Sequence, residues 1–268
     1  MTSRNRETLK NYFRDGQLPT QDHFHDLIDS MLNMADEGFR KTVAHGEQIY
    51  APVGHDALLS FYRDQMPEQV LWQAGLHAQR DQLLIHSPGL GKDPLLTLDR
   101  QQRVGIGTAS PADKLDVSGH VASHGRRGNL PLPGPVLANG KWQDLTGDLE
   151  GCQGFEIVAG AGQPGSGHFG LMHAVALSTY NPGRGLLTWF RRQRGIRTTQ
   201  AWWGRRCDRL QLRWFGSEGR QASYRLQIRT ACNFGDTLRI QVHLTQLWFD
   251  PHMAGCQPPV QAAPGAQP

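Results

Sequence analysis

Between Val104 and Val121 the chain reads VGIGTASPADKLDVSGHV, and this stretch constrains the fold more than any other. Gly105 and Gly107 alternate with Val104 and Ile106, Ser110-Pro111 marks a turn, and Leu115-Asp116-Val117 alternates again before Gly119. The spacing predicts two short strands joined by a turn-rich link. Glycine brings backbone to a strand but no side chain to pack, so such strands are weak alone. They become stable when copies of the chain complete one another. The stretch holds no acid/base pair, metal spacing or phosphate loop.

The rest of the composition points the same way. A chain of 268 residues has room for two domains, or for one domain and a fibre segment. Its 31 glycines, 16 prolines and 38% hydrophobic residues suit many turns and a thin, multi-segment molecule better than one compact globule. The net charge is only +4, but from Arg184 to Arg229 there are twelve Arg and no Lys, against Asp208 and Glu218 alone. None of Cys152, Cys207, Cys232 and Cys256 forms a CxxC, so buried free thiols are expected rather than a zinc site. Neither a metal nor any other cofactor is expected. MTSRNRETLK lacks the apolar core of a signal peptide, and no run approaches the ~20 apolar residues of a membrane span. The expectation is synthesis in the cytoplasm and action outside the cell, as part of a released particle.

Five segments are expected, mainly β with a short helical start. Residues 1–45 read as a helical attachment or oligomerisation segment. Gly16 ends a first short helix and Thr20 caps a second, on which Phe24, Leu27, Ile28, Met31 and Met34 form one apolar face before Gly38. Residues 46–122 give short apolar runs at spacings near ten, a β-rich shaft. Residues 123–140 hold three prolines and four glycines and read as a linker. Residues 141–250 alternate cleanly (Leu210, Leu212, Trp214; Tyr224, Leu226, Ile228; Leu238, Ile240, Val242, Leu244), which predicts an antiparallel β-sandwich of about eight strands. Residues 251–268 are rich in Pro, Ala and Gln and read as a disordered tail.

Opposite the apolar set of those three strands lie Gln211 and Arg213, then Arg225, Gln227 and Arg229, then Arg239, Gln241 and His243. Period-two geometry predicts one polar lattice on one side of a sheet. Arginine presents a planar fork that matches carboxylate and phosphate, and sugars stack on aromatic rings such as those of Trp202 and Trp203. Arg213, Arg225, Arg229, Arg239, Trp202 and Trp203 are therefore the candidate receptor- or glycan-binding residues. A wet outer face or a subunit interface would use the same pattern. Trp142, Trp214 and Trp248 are expected in the core. The basic, aromatic run from Trp189 to Arg209 suits single-stranded nucleic acid in principle, but no nucleic-acid motif accompanies it.

No catalytic residue is assigned, because G-x-S-x-G, H-E-x-x-H, P-loop and dinucleotide fingerprints are all absent. Asp144, Asp148 and Glu150 form a carboxylate cluster that would serve a glycosidase, although turn residues are the simpler account.

The stretch from Arg103 to Val121 resembles the "VGIGT…SP…KLDVSG" signature of the shafts of phage tail fibres and related bacterial fibre proteins. The block NRETLKNYFRDGQLPTQDHFHDLIDSMLN resembles their N-terminal segment. The resemblance implies a homotrimeric tail-fibre or adhesin-like structural protein of a phage or a phage-like contractile injection system. Its N-terminal segment would meet a baseplate or tail protein, and its last domain a cell-surface glycan or lipopolysaccharide. Phe24, Leu27, Ile28 and Met31, with Val104, Ile106, Leu115 and Val117, would be the oligomerisation residues. A polysaccharide hydrolase of a tail spike and a purely scaffolding particle component are the alternatives.

Overall fold

The computed structural model describes residues 4–31, 38–51, 55–91, 93–180, 195–219 and 221–258. The protein is mainly β, with two short helices near its N-terminus, and it divides into two compact units, Met1–Ala122 and Ser123–Pro268.

In the first unit, helices α1 (Arg6–Tyr12) and α2 (Gln21–Asp29) form a small hairpin. The second helix is shorter than its apolar periodicity predicts. The Tyr12 ring stacks on His23 at 3.9 Å, Phe13 meets Phe24 edge-on, and Asp26 accepts from Arg4 and from the Tyr12 hydroxyl. These contacts leave Phe24, Ile28 and Met31 exposed and Leu27 half-buried. Met34 lies outside the described residues. Strands β1 (Phe39–Thr42) and β2 (Gly46–Ile49) make a separate hairpin.

A six-stranded sheet follows, in sequential order: β3 (Ala57–Phe61), β4 (Trp72–Leu76), β5 (Leu83–His86), β6 (Leu96–Leu98), β7 (Val104–Ile106) and β8 (Leu115–Val117). The last two strands pair in parallel and the others antiparallel. The sequence predicts this pair of short strands and their link. Register aligns Leu76, Leu83, Leu98, Val104 and Leu115 across five strands, and next to them Ala74, Ile85, Leu96, Ile106 and Val117. Leu59, Phe61 and Trp72 extend the same face. One whole side of the sheet is therefore apolar. On the other side the 107–114 link folds back over β7, and Thr97 Oγ1 donates to the Thr108 carbonyl at 2.8 Å. Gly105 is needed there, because a Cβ would stand 2.6 Å from the Thr108 oxygen. Among the described residues this unit buries no Val, Leu, Ile, Met, Phe, Tyr or Trp.

The second unit is a sandwich with a true core. One sheet has the order β12 (Ile196–Trp203), β11 (Phe169–Thr179), β10 (Cys152–Gly162), β15 (Gln241–Gln246). The other has the order β13 (Leu210–Gly216), β14 (Tyr224–Thr230), β9 (Gln143–Asp144). That makes seven strands among the described residues, all antiparallel. Phe155, Ile157, Met172, Leu210, Leu226, Ile228 and Leu244 fill the space between the sheets. At ~25 cal/mol per Å² of apolar surface removed from water, this burial holds the unit together. The buried Tyr224 hydroxyl donates to the Gly151 carbonyl at 2.6 Å.

Three expectations need correction here. The proline-rich 123–140 segment is part of this unit and not a linker. The Leu130 N–H donates to Leu244 O, Ile240 N–H to Val136 O and Ala138 N–H to Leu238 O, and Val136 and Ala138 enter the core. The segment runs beside β15, giving an edge strand the partner it would otherwise lack. Residues 251–258 are likewise placed: the Pro251 carbonyl accepts from the Cys152 N–H, and the Asp250 carboxylate caps a short turn at Ala254–Cys256. Residues 259–268 lie outside the described residues. Cys207 and Cys232 are not free thiols. A turn at Arg206–Asp208 brings their Cα atoms to 5.2 Å and they form a disulfide, whereas Cys152 and Cys256 remain free.

Candidate functional site

The predicted Arg lattice divides between the two faces of the sandwich. β15 pairs with β10 rather than with β14, so Gln241 and His243, with Arg239 just before them, go with a different sheet from Arg213, Arg225 and Arg229. Alternation fixes which side of its strand a residue faces, while strand order is set by pairing across the whole domain.

On the three-stranded sheet the arginines are tied into a network. Directly opposite residues exchange side chains: Arg213 Nε donates to Gln227 Oε1 and Arg229 Nε to Gln211 Oε1, both at 2.8 Å. The Trp142 ring takes both guanidiniums, with Arg213 at 4.2 Å and Arg229 at 4.6 Å from its centroid. Trp142 is therefore an outer-face residue and not a core one. Trp214 packs against the core beside Phe155 and Tyr224, whereas Trp248 sits at the exposed edge.

Arg225 bridges two carboxylates, donating to both oxygens of Asp148 at 2.7 and 3.1 Å and to Asp144 at 3.2 Å. These hydrogen bonds hold the Asp148 carboxyl below the usual range against the opposing effect of burial, and they raise the Arg225 guanidinium in turn. Gln227 also donates to Asp144, at 2.7 Å. The carboxylates of the candidate glycosidase cluster thus anchor the β9 loop to β14. Glu150 contributes its carbonyl, which accepts from Gln153.

The four-stranded sheet has a different outer face. Along β11 the even residues Gly170, Met172, Ala174, Ala176 and Ser178 are buried. The odd ones point outward, among them Phe169, Leu171 and Leu177, all exposed. Register sets Leu171 between Ala201 and Gly160, and Phe169 between Trp203 and Gly162. Together with Val158, Pro164, Arg239, Gln241 and His243, these residues line a depression of 680 Å³. That volume falls within the roughly 300–1,000 Å³ of small-ligand sites.

Trp202 and Trp203 do not act as one stacking surface, because consecutive strand residues face opposite ways. Trp203 is 72% exposed on the outer face, while the Trp202 ring takes the Arg209 guanidinium at 5.3 Å. Trp189 and Phe190 of the basic, aromatic run lie outside the described residues.

Two polar knots hold this face in place. His168 Nδ1 meets Asp208 Oδ2 at 2.9 Å, and the same oxygen accepts from the Arg205 N–H at 2.7 Å. Asp208 is buried, which alone would raise its carboxyl, but the bonds from His168 and Arg205 outweigh burial and hold it below the usual value. This knot fastens the turn between β10 and β11 to the start of β13, and the adjoining disulfide ties that start to the segment after β14. Further along the face, Glu156 accepts from His173 at 2.9 Å and from Arg126 at 2.5 Å. The His173 bond first, then the Arg126 charge, lower its carboxyl against burial.

Phe169, Leu171 and the Gly160/Gly162 floor are the site residues that reading the Arg pattern misses. Their signal in the sequence is that the run FGLMHAVALST is apolar at both parities, which is excessive for a strand with one wet face. Cys207, Asp208 and Cys232 present ligand atoms within 4.8 Å of one another, but the two sulfurs are bonded to each other. Among the described residues no helix is long and apolar enough to cross a membrane. No protein-family model matches the chain, and no curated protein matches it.

Proposed function

We propose that the chain is a homotrimeric, tail-fibre-like structural protein whose second unit binds a cell-surface glycan. The observation that carries the reading is the six-stranded sheet of the first unit. Its apolar face runs across all six strands, and no large apolar residue of that unit is buried among those described. Water against that face is unfavourable by ~25 cal/mol per Å², so sister chains that cover it stabilise the assembly. The surface includes Val104, Ile106, Leu115 and Val117, the residues for which the fibre resemblance implies an oligomerising role. The exposed stripe of α2 offers a second seam, for sister chains or for a baseplate or tail protein. Three copies would present three glycan sites, and weak sites joined on one stalk gain avidity through effective concentration.

The test is the mass of the full chain in solution, with Ile106→Glu as the variant. The wild type is expected near three times 29.9 kDa. A carboxylate at position 106 places a charge on the apolar face and should return the mass toward one chain. A wild-type monomer would overturn the reading. Adhesion of labelled full chain to bacterial cells tests the second half: it should be present in the wild type and reduced in the monomeric variant, which loses avidity.

A further inference from the structure

Resting on that reading, we propose that the depression on the outer face of the four-stranded sheet binds a hexopyranose bearing a carboxylate. The ring would stack on Trp203 and the carboxylate would meet Arg239.

The depression is amphipathic in a way that fits a sugar ring. Its floor is shallow, because Gly160 and Gly162 carry no side chains, so that the Phe169 ring lies over Gly162 and Leu171 reaches toward Gly160, and Ala201 adds only a methyl. Phe169, Leu171 and Trp203 supply apolar surface on the β11–β12 side. The polar groups gather on the other side, at β15, where Gln241 and His243 offer an amide and an imidazole to hydroxyls. A pyranose has the same division, with C–H bonds over its ring faces and hydroxyls around its edge.

Charge selects the class of sugar. Among the described residues Arg239 is the one permanently charged side chain lining the depression, and none of those lining it is a carboxylate. Among the described residues Arg239 makes no side-chain hydrogen bond or ion pair, unlike Arg225, which holds Asp144 and Asp148. Glu156, an acid on the same face, accepts from Arg126 and His173. A guanidinium fork without a partner among the described residues, across the same depression from an aromatic ring, matches a ring carboxylate bidentately.

Saturation-transfer NMR on the full chain tests the assignment, with a glucuronate-containing oligosaccharide and its carboxyl-reduced counterpart as probes. The wild type should transfer saturation to the ring C–H protons of the uronate sugar. The reduced sugar should bind roughly tenfold more weakly, the scale of one charge-assisted hydrogen bond at a wet site. Arg239→Gln should erase the difference between the two sugars, and Trp203→Ala should remove the saturation. Arg229→Gln, on the opposite sheet, should change neither. Arg239 and Trp203 are exposed, and an unchanged melting curve confirms that each variant folds.

Equal binding by Arg239→Gln and wild type would overturn the proposal, as would no saturation with either sugar. A change of mass in Trp203→Ala would also overturn it, by showing the face to be a contact between copies of the chain. If the wild type adheres to cells while both sugar arms are flat, this site is wrong and the adhesin reading stands. If the wild type neither trimerises nor adheres, the adhesin reading itself fails.

Discussion

Asp208 shows how one residue can fix the geometry of a face on which it does not itself appear. Its carboxylate joins the Arg205 backbone and His168, and so ties the β10–β11 turn to the start of β13. Because its folded pKa lies below the unfolded value of ~3.9, its ionised form contributes stability that is fully present above pH ~4. That contribution is lost as pH falls below ~4 through the lower folded pKa. Asp208→Asn should therefore lower the urea midpoint at pH 7, and its deficit against the wild type should shrink by pH 3. A deficit of equal size at both pH values would show that ionisation plays no part. The pairing of Asp208 with His168 was not readable in the sequence, where the two stand 40 residues apart with no spacing rule to join them. The arginines teach a related lesson. Their outward facing follows from alternation, but their exchange with Gln211, Gln227 and Trp142 follows from register alone.

Elements carry a different kind of information. β7 and β8 come out where the glycine alternation and the Ser110-Pro111 turn place them. Their parallel pairing across so short a link depends on Gly105, which lets the Thr108 carbonyl close over the strand. Gly105→Ala should destabilise the first unit by ~1–3 kcal/mol through overpacking, measured as a lowered melting transition of that unit. An unchanged melt would show that the link can move aside. The strands β13 and β14 also pair as their alternating runs predict. β15 does not join them, because an alternating strand is equally at home in either sheet of a sandwich and the hydrogen-bond partners of β10 decide the matter. The 123–140 segment misleads for a similar reason. Its prolines rule out a central strand, yet a chain with few N–H donors still packs along an edge.

The two units differ as whole bodies in how complete they are. The second has a closed core, whereas the first presents an apolar sheet face on which no described residue is fully buried. If sister chains supply the cover, folding of the first unit is linked to association and its melting point must rise with protein concentration. A tenfold rise in concentration should shift the melting transition of the first unit upward and leave that of the second in place, as read by calorimetry. Two concentration-independent transitions would count against an assembly held by this sheet. Ile106→Glu should remove the concentration dependence without touching the second transition.

The sequence by itself determined the β class, the helical start, the paired short strands after Arg103 and the inward-facing sides of the later strands. All of these are written in local periods of two or 3.6 and in the backbone habits of glycine and proline. Only the tertiary structure decided that the arginines divide between two faces, that Trp142 lies outside the core, that Cys207 meets Cys232, and that the glycine floor of β10 opens a depression beside Trp203. Each of those depends on which distant strands lie side by side. That choice is made by the packing of the whole core, and no local period records it.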